Sequence, residues 1–463
     1  MSRNGERFTQ YGWIVCSWVL LMPFNYGYHI SVLNQVQALL MADFGASDFA
    51  FSIVTAVFTV GGLLGSMVAN LVMDRWGRKG AGRASAVLNL VGAALMGVSS
   101  SIGVLGFGRL LTGIGAGIAI CTSPLYLAEI APSKISGNVG VLTQLGIVLG
   151  IMITQIIGFN FATPTQWRNV LFFSAATSVA QFLFSPVVVE SPAWLASKGH
   201  LELKKTAAVR LWGLLPAATP SVEDPLLDNL EARRNEQTEA LTVPQALAAP
   251  DVRRALATIC FAMLSQQLSG ACDLLFVELV ANLAHLWAGI NAVLYYSNAI
   301  LSKSLPDFGP YVSLGITVVN VIMTFPPIIL IERVGRRQLL FASTFGAISS
   351  LLLVGFGLNT GAATLSSITI LTFVTSFACG LGPVPFVLIS EIAPFHAVSA
   401  LSSVALSLNW SANFVVGLVF LPLRNALQGY GEGTVFFVFA AALLCSMSMF
   451  RAAERGLRRR GQE

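Results

Sequence analysis

The hexapeptide DRWGRK at residues 74–79 has a close counterpart further along the same chain, ERVGRR at residues 332–337. A second motif, EIAP, occurs at residues 129–132 and again at residues 391–394. The copies of the first motif start 258 residues apart and those of the second 262 residues apart, so both recur at nearly the same interval. Two motifs repeated in the same order predict a chain built from two structurally related halves.

The composition predicts that these halves lie in a membrane. Hydrophobic residues make up 55% of the 463 residues and charged residues only 11%, whereas a soluble domain carries about 25% charged residues. The mean hydropathy of +0.73 agrees. So few charges cannot cover a water-soluble surface, which excludes an ordinary soluble enzyme, a disordered chain and a nucleic-acid-binding protein.

Six apolar segments stand on each side of one polar stretch, and a bilayer-spanning helix needs about 20 apolar residues. We predict an all-α membrane protein of twelve transmembrane helices in two six-helix bundles. The domains are an N-terminal bundle (1–189), a cytosolic linker with short helices (190–252), a C-terminal bundle (253–450) and a cytosolic tail (451–463). The segments are 11–33, 51–73, 82–101, 104–127, 138–160, 170–189, one beginning near 255, 310–331, 338–358, 366–389, 399–422 and 434–450.

Lysine and arginine positions predict the orientation. If both termini are cytosolic, the outer loops hold only Arg168, Lys303 and Arg424. Cytosolic loops are the basic ones in multispanning proteins, so this asymmetry favours cytosolic termini. The isoelectric point near 9.0 then reflects topology and requires no nucleic-acid partner.

The repeated charged motifs predict a gate on the inner side. The glycine of each motif allows a tight turn between two helices, and an acid at one helix end can pair with an arginine on a neighbour. Breaking such pairs would let a cavity open inward; the alternative interpretation is a static set of topology-determining charges. The predicted gate residues are Asp74, Arg75, Arg78, Arg109, Glu129, Glu332, Arg336, Arg337 and Glu391.

Seven amide side chains interrupt the apolar segments. Burying an unpaired amide costs about 1–3 kcal/mol, so these groups should face a watery cavity or one another. An amide offers both donors and an acceptor, which suits a vicinal diol; the alternative is hydrogen bonding between helices alone. The seven are Gln144, Gln155, Gln266, Gln267, Asn320, Asn409 and Asn413.

The sequence gives no indication of catalysis. It contains no phosphate-binding loop of the form GxxxxGK[ST], so ATP is not the expected driver. The six cysteines lie apart in apolar stretches, without metal-ligand spacing. We therefore predict a non-enzyme with no catalytic residue, no metal site and no cofactor, whose partners are a small molecule and the lipid bilayer.

Several motifs together resemble the sugar-porter branch of the major facilitator superfamily, the glucose-transporter type. The resemblance covers the chain from Tyr26 to about Phe439. It implies alternating access and a sugar substrate, hexose-like or a polyol, moved alone or with a proton. The motifs are QLGI (144–147), ESPAWL (190–195), QQLSG (266–270), INAVLYYS (290–297), GPVP (382–385) and the pair Asn409 and Trp410.

The resemblance also implies the residues of the site. The GPVP run should break the tenth helix, because proline removes a backbone hydrogen bond and glycine relaxes the backbone. Expected substrate contacts come from Gln144, Gln266, Gln267, Asn291, Asn320 and Asn409. Expected to line or close the same cavity are Gln155, Phe386, Trp410 and Asn413.

His29 is a departure from the family pattern. Proton-coupled members usually carry aspartate at this position and facilitative animal members carry asparagine. Histidine titrates near physiological pH, so His29 is a candidate proton-coupling residue, a pH sensor or a simple hydrogen-bonding group. His29 and the neighbouring pattern from Leu33 to Gln37 are similar to fungal intracellular sugar-porter-like proteins. The expected location is therefore the plasma membrane or a vacuolar or other internal membrane.

Residues 271–289 form an anomalous insert in the seventh helix, because the family joins QQLSG directly to INAV. The insert has 19 residues, among them Asp273, Glu278 and His285. One extra span would invert all later helices, so we interpret the segment as a retained intron or a gene-model error, and the alternative is a genuine insert that loops out or re-enters.

A sugar transporter is the predicted function, and a non-transporting sugar sensor of the same fold is the alternative. Known sensors of this type resemble transporters with long cytosolic tails. Only residues 451–463 follow the last predicted helix here, which favours the transporter.

Overall fold

Helices form every regular element in the part of the chain that the computed structural model describes, namely residues 8–132, 135–213, 241–250, 252–282, 309–360, 362–431 and 433–460. The N-terminal half contains α1 (Gln10–Phe44), α2 (Asp48–Gly97), α3 (Ile102–Ile130), α4 (Ser136–Gly140), α5 (Leu142–Phe161) and α6 (Trp167–Phe184). The linker contains α7 (Pro192–Ser197), α8 (Leu201–Trp212) and α9 (Val243–Ala248). The C-terminal half contains α10 (Arg253–Asn282), α11 (Gly309–Arg333), α12 (Arg336–Asn359), α13 (Ala363–Ser376), α14 (Val384–Ile392), α15 (Val398–Leu427) and α16 (Thr434–Arg460).

Membrane-spanning helices dominate this order. Among the described residues, 8 helices are long and apolar enough to cross a bilayer. One of them, α2, consists of two arms that meet at Gly77. Three more long helices, α1, α10 and α15, are not among these 8. The predicted second and third segments are thus the two arms of α2, and α1 continues beyond its predicted end at residue 33 to Phe44.

Gly77 makes the sharp turn between the two arms of α2. Its backbone has φ 76° and ψ −178°, a region that is essentially restricted to glycine. The carboxylate of Glu190 lies directly against it and accepts hydrogen bonds from the backbone N–H groups of Arg78 and Lys79, at 2.9 and 3.0 Å. An anion at a helix N-terminus is stabilised by the unpaired N–H groups and the helix dipole, so Glu190 caps the second arm.

Gly335 makes the corresponding turn in the second half, between α11 and α12, with φ 91° and ψ 148°. No side chain caps the N-terminus of α12 in the described structure, and a Cβ at Gly335 would meet no atom within 4 Å. The repeated motif therefore gives the same backbone turn in both halves, with different surroundings.

The tenth span is broken as predicted. Helix α13 ends at Ser376, a π-helical turn follows over Phe377–Leu381, and α14 begins at Val384. Pro383 and Pro385 have no N–H to donate, so the regular hydrogen-bond ladder cannot continue through them. The break places the carbonyl of Gly382 against the central cavity, where Gln266 bonds to it.

The linker helices lie at one end of both bundles, which we call the linker face. Trp194 donates to the carbonyl of Asp74 at 3.2 Å, and Trp212 donates to the carbonyl of Ile130, at the end of α3, at 2.9 Å. Leu241 donates to the carbonyl of His396 in the C-terminal half at 2.8 Å. The described linker is thus attached to both halves.

The anomalous segment lies partly in α10. The helix continues without interruption through the first residues of the segment to Asn282. The rest of the segment, and Asn291 beyond it, lie outside the described residues, so the role predicted for Asn291 stays a prediction.

We expect Gly77→Ala to destabilise the protein more than Gly335→Ala. Both substitutions force alanine into a glycine-only backbone region, at a cost of about 1–3 kcal/mol. At Gly77 the new Cβ would also collide with the Glu190 carboxylate, whereas at Gly335 it meets open space. Thermal unfolding of the two purified variants in the same detergent measures the difference, and equal melting temperatures would contradict the role given to Glu190.

Candidate functional site: a central cavity and a charged gate

A small cavity of about 50 Å³ lies between the two bundles. Ligand sites usually measure about 300–1,000 Å³, so the cavity is closed almost completely in this conformation. No charged side chain lines it among the described residues. The lining residues are Tyr26, Ile30, Ile120, Gln144, Ile147, Val148, Ile151, Gln266, Gln267, Asn320, Phe377, Phe386, Asn409 and Trp410.

The C-terminal wall of this cavity is a chain of hydrogen-bonded amides. Asn413 Nδ2 donates to Gln267 Oε1 at 3.2 Å, and Gln267 Nε2 donates to Asn409 Oδ1 at 2.8 Å. Asn409 Nδ2 donates to Gln266 Oε1 at 3.0 Å, and Gln266 Nε2 donates to the carbonyl of Gly382 at 2.7 Å. Four predicted site residues on α10 and α15 therefore form one network.

Two further amides face the same cavity from helices on either side of the bundle interface. Gln144 comes from α5, and Asn320 comes from α11. The buried Oδ1 of Asn320 accepts no hydrogen bond from any described residue. An orphaned acceptor of this kind is costly unless a further donor, such as water or a ligand, reaches it, so Asn320 presents to the cavity an acceptor that no described residue satisfies.

Gln155 lies away from the cavity lining. It stands eleven residues after Gln144 on α5, about 16 Å further along the helix. Its Oε1 accepts a hydrogen bond of 2.7 Å from Gln35 Nε2 on α1. Gln155 thus joins two helices of the N-terminal bundle in this conformation.

Aromatic side chains close the cavity across the bundle interface. The Trp410 ring from α15 packs edge-on against Tyr26 and Phe58, with centroids 5.4 and 5.7 Å away. Phe386 from α14 lines the same space. The sequence predicts Trp410 and Phe386 as cavity residues but not Tyr26 and Phe58. Tyr26 lies three residues before the distinctive His29, whereas no motif marks Phe58.

In the N-terminal half, the charged motif forms a buried ion cluster at the linker face. Arg78 binds Glu129 through two hydrogen bonds of 2.9 and 2.7 Å, and the two side chains are only 4% and 7% exposed. Glu190, which caps the helix at Arg78 and Lys79, completes the cluster. Burial raises the pKa of the Glu190 carboxyl, and its backbone N–H donors oppose that rise.

The C-terminal half forms a more exposed cluster with the same plan. Arg336 contacts Glu332 at 2.8 Å and Glu391 at 2.7 Å, and these side chains are 24–29% exposed. Next to it, Arg337 Nε lies 3.1 Å from Glu454. Glu454 follows Glu190 by 264 residues, close to the repeat interval, so these two acids occupy equivalent places. Neither acid was predicted as a cluster member, although the repeat interval marks them as a pair.

Two hydrogen bonds between described residues cross from one half to the other near these clusters. Gly137 N, at α4, donates to Glu332 Oε1 at 3.0 Å. Ser402 Oγ donates to the carbonyl of Cys121 at 3.2 Å. The linker face is therefore closed in this conformation.

Two predicted gate residues lie apart from the clusters. Arg75 is exposed and makes no ion pair with any described residue. Arg109 is on α3, twenty residues before Glu129 and thus about 30 Å from it along the helix. The structure places Arg109 in the interior of the N-terminal bundle instead.

Arg109 and His29 lie together in that interior. Arg109 Nη1 donates to the backbone carbonyl of His29 at 2.7 Å, and its guanidinium lies 4.3 Å from the centre of the Phe58 ring. His29 Nε2 is 2.7 Å from Ser174 Oγ on α6. His29 Nδ1 has no hydrogen-bond partner in the described structure.

Comparisons with known proteins agree with this architecture. The structure is similar to the proton:xylose symporter XylE bound to 6-bromo-6-deoxy-D-glucose, with a TM-score of 0.79, 19% identity and 95% of each chain covered. It is also similar to the inward open conformation of the xylose transporter XylE from E. coli, with a TM-score of 0.69, 19% identity and 95% of each chain covered. These likenesses establish the two-bundle, twelve-helix fold of the major facilitator superfamily.

Sequence relatives extend over nearly the whole chain. A probable metabolite transport protein of Saccharomyces cerevisiae is 31% identical over 446 residues, 90% of this chain and 87% of the relative. The facilitated glucose transporter member 7 of solute carrier family 2 from Mus musculus is 31% identical over 449 residues, 91% of this chain and 82% of the relative. The family model described as "Sugar (and other) transporter" matches residues 14–455. The chain therefore belongs to the sugar (and other) transporter family, as a multi-pass integral membrane protein.

Proposed function

We propose that this chain carries a neutral polyhydroxylated substrate, a hexose-like sugar or a polyol, across a membrane by alternating access. The amide network of α10 and α15, which faces Gln144 and Asn320 across an uncharged cavity, is the observation that carries the proposal. Amides supply donors and acceptors in the pairs that vicinal hydroxyls need. The aromatic rings beside them supply an apolar surface for the carbon skeleton of a sugar.

Substrate binding exchanges hydrogen bonds within the site. In the closed conformation Gln267, Asn409 and Gln266 bond to one another, so few amide groups are left unpaired. A sugar that enters replaces those bonds with its own hydroxyls, and each exchange changes the free energy by only about 0.5–1.5 kcal/mol. The site can therefore release its substrate as readily as it binds it, which transport requires.

The two ion clusters at the linker face serve as the inner gate in this proposal. They join the helix ends of each half, and the bond from Gly137 to Glu332 connects the halves. Separation of the bundles on this side has to break that bond and expose the clusters to water. We infer from the positive-inside rule that the linker face is cytosolic, in the plasma membrane or in an internal membrane such as the vacuole's.

Proton coupling, in this proposal, passes through His29. In the closed conformation a second positive charge on His29 would stand beside the Arg109 cation, and both side chains are fully buried, which is unfavourable. The imidazole therefore has to accept its proton in another conformation, in which α1 and α6 admit water. The cycle would then link protonation to the movement of the bundles.

Uptake of radiolabelled sugars and polyols into proteoliposomes tests the function. We expect uptake of at least one hexose, pentose or polyol above that of empty liposomes, inhibited by the unlabelled compound. A sensor of the same fold would bind a sugar, detectable by tryptophan fluorescence, but would transport none of them.

Asn409→Ala should weaken substrate affinity several-fold, because the sugar hydroxyls that replace Gln267 and Gln266 as partners of Asn409 would lose their hydrogen bonds, each worth about 0.5–1.5 kcal/mol. Gln144→Ala and Gln267→Ala should have similar effects. Asn160→Ala, at an exposed position of the same residue type on α5, is the matched control. Concentration dependence of uptake gives the affinities, and unchanged values in all three cavity variants would contradict the assigned site.

Arg78→Gln should lower the melting temperature strongly and reduce uptake. It leaves the Glu129 carboxylate buried without its arginine, and breaking a buried ion pair in this way costs about 3–5 kcal/mol. Arg75→Gln is the control, since Arg75 is exposed in the same motif and surface substitutions usually change stability by less than about 0.5 kcal/mol. Equal effects of the two substitutions would argue against a structured gate.

His29→Asn should keep downhill exchange of substrate and abolish its accumulation in a pH gradient, since asparagine retains hydrogen bonding but cannot carry the proton. Wild-type protein should accumulate substrate when the gradient is imposed. Exchange and net accumulation are measured in the same proteoliposomes. A wild-type protein that only equilibrates substrate would be a uniporter, and accumulation by the variant would exclude His29 as the proton carrier.

A further inference from the structure

A second cavity, of about 1090 Å³, lies on the side of the C-terminal half between α12, α14 and α16, and we call it the lateral cleft. Its walls include Phe341, Phe345, Ile348, Leu444 and Met447. Phe345 is 74% exposed and Leu444 is 57% exposed. Both residues belong to membrane-spanning helices, so the apolar part of the cleft opens sideways, toward lipid.

The end of the lateral cleft at the linker face is positively charged. Three arginines and one glutamate line it, Arg336, Arg337, Arg451 and Glu454. Arg336 is held by the carboxylates of the gate cluster, and Arg337 is paired with Glu454 at 3.1 Å. Arg451 is exposed, pairs with no carboxylate of the described residues, and lies 5.8 Å from the centre of the Phe341 ring. Arg451 is therefore the cation available to a ligand.

The N-terminus of α12 differs from the equivalent helix N-terminus in the first half of the repeat, the start of the second arm of α2. In the N-terminal half, Glu190 bonds to the N–H groups of Arg78 and Lys79. The equivalent acid in the C-terminal half, Glu454, contacts the side chain of Arg337 instead, and the N-terminus of α12 carries no side-chain cap in the described structure. The position that a carboxylate occupies in one half is thus open to an anion in the other.

The depth of the cleft in the membrane points to one kind of anion. The spans that form it are Arg336–Asn359 and Thr434–Arg455, so Arg336 and Arg451 lie near the ends of their spans. Cations at this depth stand at the level of lipid headgroups, where anionic lipids attract basic residues. Inorganic phosphate would satisfy Arg451 but would leave the apolar walls uncovered.

We propose that the lateral cleft binds one anionic phospholipid from the leaflet at the linker face. Its phosphate lies between Arg451 and the uncapped N-terminus of α12, and one acyl chain covers Phe341, Ile348 and Met447. The binding is independent of the transport proposed above, because the cleft shares no residue with the central cavity. A lipid in this position contacts α12 at the residues that adjoin the gate cluster.

Photolabelling of the full-length protein in phosphatidylcholine nanodiscs tests the proposal. The probes are phosphatidylserine and phosphatidylcholine, each with a photoreactive group in one acyl chain, and mass spectrometry locates the labels. We expect the phosphatidylserine probe to label residues 341–348 and 444–450, and unlabelled phosphatidylserine but not inorganic phosphate to compete. Arg451→Gln should weaken this labelling about five-fold, as expected for one arginine near the headgroups.

Two further variants make the test specific. Arg253→Gln removes one exposed arginine at the start of α10, outside the cleft, and should leave labelling unchanged. Leu444→Trp fills the groove and should abolish labelling of the cleft while the protein stays monodisperse in size-exclusion chromatography. Equal labelling by the two probes, equal effects of Arg451→Gln and Arg253→Gln, or displacement by inorganic phosphate would each overturn the proposal.

Discussion

The amides in the centre of the molecule impose the constraint on which the rest of the structure depends. A buried amide without a partner costs about 1–3 kcal/mol, and seven of them lie in apolar segments. The structure meets this cost by letting Gln267, Asn409 and Gln266 bond to one another and to the carbonyl freed at the broken tenth helix. The helix break and the shape of the cavity therefore serve the same network, in which the amides of α10 and α15 pair with one another.

The internal repeat provides the same charged motif twice, but the two copies differ in burial. Arg78 and Glu129 are almost completely buried, so removing one partner of this pair is costly. Arg336 and Glu332 are partly exposed, and ion pairs in contact with water contribute little, about 0–1 kcal/mol. Glu332 is also the residue that reaches the other half through Gly137. In the proposed gate, the contact between the halves thus belongs to the more exposed of the two clusters.

The sequence predicted the position of each polar side chain along its helix better than the direction in which the side chain points. Hydropathy predicted the all-helical class, the repeat marked the two glycine turns, and the amides within apolar segments included the four that bond to one another on α10 and α15. The same reasoning assigned Gln155 to the cavity and Arg109 to the gate, whereas Gln155 bonds to Gln35 and Arg109 to His29. Depth follows from the position within a helix, but direction depends on how each helix is rotated, which only packing fixes. The sequence also did not predict that Glu190 caps the second arm of α2. This contact depends on where the chain after α6 passes the turn at Gly77.

Phe58 lies between the buried Arg109 and Trp410, and Trp410 belongs to the wall of the central cavity. One side of its ring covers the Arg109 guanidinium at 4.3 Å, and the ring centroid lies 6.3 Å from that of His29. Its edge contact with Trp410 belongs to the closure between the bundles. In the proposed transport cycle, a movement of α15 that withdraws Trp410 would uncover Phe58 and admit water toward His29. Substrate and proton would then be linked through this contact, because the same displacement that enlarges the cavity would also lower the cost of a second positive charge beside Arg109.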